Sequence, residues 1–230
     1  NTMRYSYDKL DRLEETLDPA GRKESYTYDS VGNLTKKTVN DTRVTSYAYD
    51  ANGNLTSLTN ALGQTETKKY DNMNRLVQET DATGAKTTYQ YDGKGQLLSS
   101  TDGNGNTTAV AYDGNGNVIS VTDGEGRQVR YAYDLADRLT EAMAGDASYE
   151  NRNTYTYDEV GNLTSTTDGN GNKMTYTYDL LSNQTSRTNA LGETESYSYN
   201  LNNRLEKITR PNGNTIQYDY NKLDALLQTD

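Results

Sequence analysis

The chemically loaded pair in this sequence is a tyrosine followed by an aspartate. Tyr28-Asp29, Tyr49-Asp50 and Tyr157-Asp158 each stand just ahead of a glycine and an asparagine, Gly32-Asn33, Gly53-Asn54 and Gly161-Asn162. Carboxylates are the only catalytic groups available in number, because the chain has 33 Asp plus Glu but no His and no Cys. Lack of His removes the neutral-pH proton shuttle and the commonest transition-metal ligand. Lack of Cys removes thiolate nucleophiles, disulfides and thiolate metal sites. Ser-His-Asp and Cys-His sites are therefore excluded within the chain. The recurring aspartates are interchangeable members of one pattern, whereas an active site needs a few distinct residues in a desolvated place, so no enzyme is expected.

A cation is the other chemistry those carboxylates could serve. The stretch DGNGN, at 102–106, 113–117 and 168–172, spaces oxygen-bearing side chains as calcium loops do. Its sixth position is Thr107, Val118 or Lys173 where an EF-hand has Gly, and no Glu stands at position twelve. The spacing of calcium β-rolls is missing as well. Turn residues account for these stretches better, and neither a metal nor a cofactor is expected.

The elements that position these residues follow from spacing. Tyr-Asp or Tyr-Asn pairs begin at Tyr7, Tyr28, Tyr49, Tyr70, Tyr91, Tyr112, Tyr133, Tyr157, Tyr178, Tyr199 and Tyr220, giving nine spacings of 21 residues and one of 24. The three extra residues fall within 142–154, where a loop is expected to absorb them. A second Tyr commonly stands two places earlier, as at Tyr26, Tyr47 and Tyr155, and an apolar residue follows the Gly-Asn, as at Leu34, Leu55 and Leu163. Tyr at i and i+2 projects both rings from one face of a strand. Asp then opens a turn by accepting backbone amides two residues on, and Gly supplies positive φ to close a short hairpin loop with a bulge. The apolar residue starts a returning strand, and a second turn such as TDGNG at 101–105 leads into the next Tyr strand.

The expectation is one all-β array over 1–230, about eleven hairpin units with Tyr and Leu on one face. Breakers every ten or so residues exclude helix. A slower rhythm lies on top: Arg12, Arg75, Arg138 and Arg204 replace the usual Asn in units one, four, seven and ten, a period of three units. Duplication of a three-hairpin cassette explains it, and so does a superhelix in which the Arg residues align.

Composition agrees with sheet and narrows the partners. Mean hydropathy is −1.02 and only 32% of residues are hydrophobic, yet there are 21 Tyr with no Phe or Trp, an aromatic suited to half-buried pleated surfaces. A formal charge of −10 and scattered basic residues argue against nucleic acid. No apolar run approaches the ~20 residues of a membrane helix, so no membrane insertion is expected. Because Asn1 is not a Met, the chain is read as a segment of something larger.

The repeated Y-x-Y-D-x-x-G-N-L, carried by Tyr26, Tyr28, Asp29, Gly32, Asn33 and Leu34 and their counterparts, resembles the YD repeat of the Rhs family. That family includes bacterial Rhs and WapA-type polymorphic toxins, the C component of Tc toxins and the teneurins. The resemblance covers the whole chain. It implies a hairpin strip that spirals into a hollow β shell around a C-terminal toxin or effector, in a secreted or cell-surface bacterial protein, with the signature residues as architecture. The implied partners are an enclosed polypeptide cargo or neighbouring YD repeats. Alternatives are an extracellular adhesion or glycan-binding module, and a self-associating fibre or homo-oligomer. The family's core-closing, self-cleaving segment has no counterpart here. Asp18-Pro19-Ala20-Gly21 resembles it only superficially and reads as a turn.

Overall fold

The structure is a computed structural model that describes residues 2–146, 149–221 and 226–229. The described residues form strands joined by turns, with no helix. Two compact bodies are distinguished, residues 1–110 with 123–125 and residues 111–122 with 126–230.

The first body holds β1 (Arg4–Tyr7), β2 (Leu13–Leu17), β3 (Lys23–Tyr28), β4 (Leu34–Val39), β5 (Arg43–Tyr49), β6 (Leu55–Thr59), β7 (Thr65–Tyr70), β8 (Leu76–Thr80), β9 (Lys86–Tyr91), β10 (Leu97–Thr101) and the start of β11 (Thr107–Tyr112). The second holds β12 (Val118–Thr122), β13 (Gln128–Tyr133), β14 (Leu139–Asp146), β15 (Tyr149–Tyr157), β16 (Leu163–Thr167), β17 (Lys173–Tyr178), β18 (Gln184–Thr188), β19 (Thr194–Tyr199), β20 (Leu205–Thr209), β21 (Thr215–Tyr220) and β22 (Leu226–Thr229). In each body every strand pairs antiparallel with the next in sequence, as β3 does with β4 and β15 with β16. That is a meander of hairpins built entirely from local pairings.

One turn design recurs. The N–H of Asp29 donates to the carbonyl of Asn33 at 2.9 Å, and Gly32 donates back to Asp29 at 3.3 Å. The register slips by one residue between Thr27 and Tyr28, the bulge that positive φ at Gly32 makes affordable in sterics. The inter-hairpin turns repeat the design: Asp102 donates to Asn106 and Gly105 to Asp102. Asp18-Pro19-Ala20-Gly21 is the same turn, with Asp18 Oδ1 accepting the N–H groups of Ala20 and Arg22 at 2.8 Å each.

Two places depart from expectation. The extra residues within 142–154 lengthen strands rather than forming a loop: β14 and β15 stay paired from Glu141↔Thr154 to Asp146↔Tyr149. Alternating small and polar residues there can continue the ladder, so pairing extends until the backbone must turn. Between β4 and β5, Asn40 (φ 50) and Asp41 (φ 56) take consecutive left-handed conformations without any glycine. Asn and Asp tolerate that region best among non-Gly residues, which gives a tight primed turn.

Tyr and Leu share a face, as the alternation predicts. Strands such as β9 and β19 alternate exposed and half-buried residues, with Tyr89, Tyr91, Tyr197 and Tyr199 on the half-buried side. Among the described residues no hydrophobic side chain is buried, and Ser165 at 6% exposure is the single buried polar residue. Each body is thus one layer of sheet, where most domains pack two.

Candidate functional site

Each predicted signature residue has a defined place. Tyr28, Tyr49 and Tyr157 end their strands and lie across from Leu34, Leu55 and Leu163. The ladder between successive hairpins stops short of those leucines, since β6 meets β7 only over Ser57↔Thr67 to Thr59↔Thr65. The leucine carbonyl therefore lacks a strand partner, and the tyrosine of the next repeat supplies one. Tyr49 Oη donates to the Leu34 carbonyl at 3.0 Å, Tyr70 to Leu55 at 3.0 Å and Tyr178 to Leu163 at 2.9 Å. This explains a chain rich in Tyr and empty of Phe: the ring packs, and the hydroxyl closes a backbone deficit between hairpins.

The earlier tyrosines, Tyr26, Tyr47 and Tyr155, lie half-buried on the same face. Tyr26 Oη donates to Glu24 at 2.7 Å, and Lys37 sits over its ring at 5.5 Å. Tyr89 donates to Glu79 at 2.5 Å; that carboxylate, with partial burial, pushes the phenol up to about 12. The face is accordingly striped, with Tyr and Leu near the Tyr-Asp rim and Tyr with carboxylates farther in.

The carboxylates are engaged in their own turns. Asp50 Oδ1 accepts the N–H groups of Asn52 and Asn54 at 2.9 Å each, while its Oδ2 accepts Asn54 Nδ2 at 3.0 Å. Asn33 and Asn162 hold Asp29 and Asp158 the same way, each at 2.9 Å. The Asn54 side-chain amide, joined by backbone amides, holds Asp50 below the usual aspartate value. The glycines Gly32, Gly53 and Gly161 each donate to their turn's aspartate carbonyl. In the DGNGN stretch, Asp102 spends its oxygens on the N–H groups of Asn104 and Asn106 and on Asn106 Nδ2. Among the described residues no group of three or more acidic side chains could hold a metal. The signature residues come together within each repeat and its neighbour and do not converge on one site.

The three-unit rhythm has a physical content that sequence reading missed. Arg12, Arg75 and Arg138 each bind their own turn aspartate through Nε at 2.7 Å. Nη1 then reaches the next repeat, donating to the carbonyls of Asp29, Asp92 and Asp158 at 3.0, 2.9 and 3.0 Å. The guanidinium carbons lie 4.7, 4.8 and 4.8 Å above the rings of Tyr28, Tyr91 and Tyr157. Arg204 lies 5.5 Å above Tyr220, whose own turn, 222–225, falls outside the described residues. In these repeats the left-handed residue is Asp11, Asn74, Asp137 or Asn203 rather than Gly. Asn74 Oδ1 accepts Asn52 and Asn54 from the repeat before, and Asp137 likewise accepts Asn115 and Asn117. Every third turn is therefore tied to its neighbours. Those four Arg at equal intervals were the signal; their targets, 17 or 20 residues away, were not.

One cleft of about 530 Å³ lies in the second body, between Tyr155, Met174 and Leu191 on its apolar side and Asn153, Asn172 and Lys173 on its polar side.

The repeat geometry agrees with what is known of related chains. Residues 1–145 match the family model described as Teneurin YD-shell. The chain belongs to the YD-shell family. Residues 157–194 match the RHS Repeat model as well. No curated protein matches. The YD-shell chain resembles solved Tc toxin structures in fold. One is a TcdB2-TccC3-Cdc42 complex, at 17% identity and a TM-score of 0.59 over 96% of this chain. Another is TcdB2-TccC3 without its hypervariable C-terminal region, at 18%, 0.62 and 98%. A third is the Photorhabdus luminescens Tc holotoxin pore with a TccC3 mutation, at 17%, 0.58 and 98%. The chain spans 16% of the length of each of these. It is a stretch of structural YD-repeat sheet.

Proposed function

We propose that this chain is one section of the wall of a YD-repeat shell that encloses a polypeptide cargo, a C-terminal toxin or effector, in a bacterial protein that is secreted or displayed at the cell surface. The observation that carries the reading is a sheet with a half-buried tyrosine face, no second layer and, among the described residues, no buried apolar side chain. Such a face is served by enclosing something or by curling toward itself. Membership of the YD-shell family supports the reading, as does fold similarity to a TccC3 that has a hypervariable C-terminal region. In this reading the repeats form one array belonging to a larger protein, the signature residues are structural, and the chain catalyses nothing. Protease protection tests it: in the full-length protein the C-terminal segment should resist digestion that destroys the same segment expressed alone. Equal digestion of the two would sink the proposal.

A glycan-binding surface is a second reading, favoured by the cleft beside Tyr155, where an aromatic ring meets amide and ammonium donors. A glycan array should then show binding that Tyr155→Ala abolishes, and a blank array removes the reading.

A further inference from the structure

The Tyr-Asp rim of the second body carries large aliphatic side chains where turns usually carry polar ones. Leu135, Leu180 and Leu201 are 106, 104 and 106% exposed, and Val160 and Leu181 are 79 and 71% exposed. They occupy the tips of four consecutive turns, those opened by Asp134, Asp158, Asp179 and Asn200. Each tip is pinned by its opening side chain, which accepts backbone N–H groups two and four residues on, so the teeth are held rigid before any partner arrives. Two strands separate successive tips, which places the teeth about 10 Å apart, with gaps about one aliphatic side chain wide.

We propose that this comb is the contact surface for a second copy of the chain, docked rim to rim about a two-fold axis with the teeth interleaved. Three observations select that occupant. The comb meets its own spacing when reversed, which is the self-complementarity an isologous dimer requires. Charge favours the antiparallel arrangement: it sets the acidic tips at Asp137 and Glu159 opposite the uncharged turns containing Asn203 and Leu181. A parallel pair would stack acid on acid. Five side chains near full exposure also bring each copy to roughly the 800 Å² per partner of a standard interface. The comb is finite. In the first body the rim is interrupted, with Asn52 and Lys94 between the exposed Val31 and Met73 and beyond, so association closes at two copies and does not grow along the strip.

Sedimentation and light scattering of the 230-residue chain across concentration test this. A dimer is expected, tightened by salt because the copies are both acidic. Leu180→Glu with Leu181→Glu, on exposed tips, should weaken it roughly a hundredfold while the β-sheet circular dichroism is unchanged. Should that pair lose the β spectrum, Leu135→Glu with Leu201→Glu applies the same test at the ends of the comb. Leu62→Glu with Leu191→Glu, on the opposite rim, should leave the dimer intact. A monomer at every concentration, open-ended assembly, a dimer indifferent to both comb variants, or one dissolved by the opposite-rim variant would each overturn the proposal.

Discussion

The turns of the third and fourth repeats, Asp50–Asn54 and Asp71–Arg75, close their hairpins identically and treat their neighbours differently. In both, the opening aspartate accepts N–H groups two and four residues on. In both, the fifth side chain returns to the second carboxylate oxygen, from Asn54 at 3.0 Å and from Arg75 at 2.7 Å. Asparagine's reach largely ends there. Arginine continues to the Asp92 carbonyl at 2.9 Å and covers the Tyr91 ring, and Asn74 beside it accepts two amides from the repeat before. Closing a hairpin and coupling it to the next are separable tasks. In an array whose parts touch only their neighbours, the second task sets how cooperatively the whole unfolds.

The largest effect should come from what the two turn types share. Eleven turn aspartates, Asp8, Asp29, Asp50, Asp71, Asp81, Asp102, Asp113, Asp134, Asp158, Asp168 and Asp179, are all held below the ordinary value of 3.8. A carboxylate with a lowered folded pKa contributes its full stability above its unfolded value and loses it as pH falls through the folded one. Stability should thus hold down to about pH 4 and collapse below it, with both turn types failing together. Circular dichroism melts across pH measure this, and an unchanged melting temperature at pH 2 would refute the shared role. At the basic end the sign reverses. Tyr89 and Tyr197, raised from 10.0 to about 12, lose their contribution as pH climbs between those values.

The Arg-type turn is broken alone by Arg75→Ala, expected to cost about 2 kcal/mol from a charge-assisted hydrogen bond and a cation–π contact. Asn54→Ala should cost about half of that, because most of its bonding stays within its own turn. Chemical denaturation separates them. Loss of cooperativity, read as a broadened transition, should accompany the Arg75 change only; equal effects would erase the distinction between closing and coupling.

Much of this was legible in the sequence, and the boundary of legibility follows contact range. Tyr26 and Tyr28 at i and i+2, Asp29 opening a turn and Gly32 closing it are interactions within five residues, so local spacing reveals strand, turn and bulge together. The same holds for DGNGN, whose oxygens are consumed within the turn they form. Arg75 was visible as a rhythm without a reason, because Asp92 and Tyr91 become neighbours only once two hairpins lie side by side. The hydroxyl of Tyr49 was hidden likewise, since its acceptor at Leu34 is exposed by the shortness of a ladder between hairpins. The residues within 142–154 misled because added length reads as loop, whereas an existing ladder can simply lengthen.

Tyr-to-Phe changes sharpen the comparison at a smaller scale. Tyr49→Phe removes the donor to the Leu34 carbonyl and should cost about 1 kcal/mol. Tyr91→Phe removes the equivalent bond to Leu76 but leaves a ring beneath Arg75, so its loss should be no greater and its cooperativity unchanged. A larger loss at Tyr91 than at Tyr49 would mean that the arginine depends on the phenol itself.

The smallest effect concerns the residue that takes positive φ. Gly53, at φ 85, has open space around any added Cβ, so Gly53→Ala meets only backbone strain and should cost about 1 kcal/mol. Asn74→Gly moves the other way: it relieves the strain of φ 61 by a few tenths of a kcal/mol and surrenders the acceptor for Asn52 and Asn54. Those amides are exposed and regain water, so the two contributions nearly cancel and the melting temperature should stay within about a degree of the parent. A marked loss on Asn74→Gly would mean that the bonds running back to the third repeat matter as much as those running forward from Arg75, and that coupling in this array is carried on both sides of every third turn.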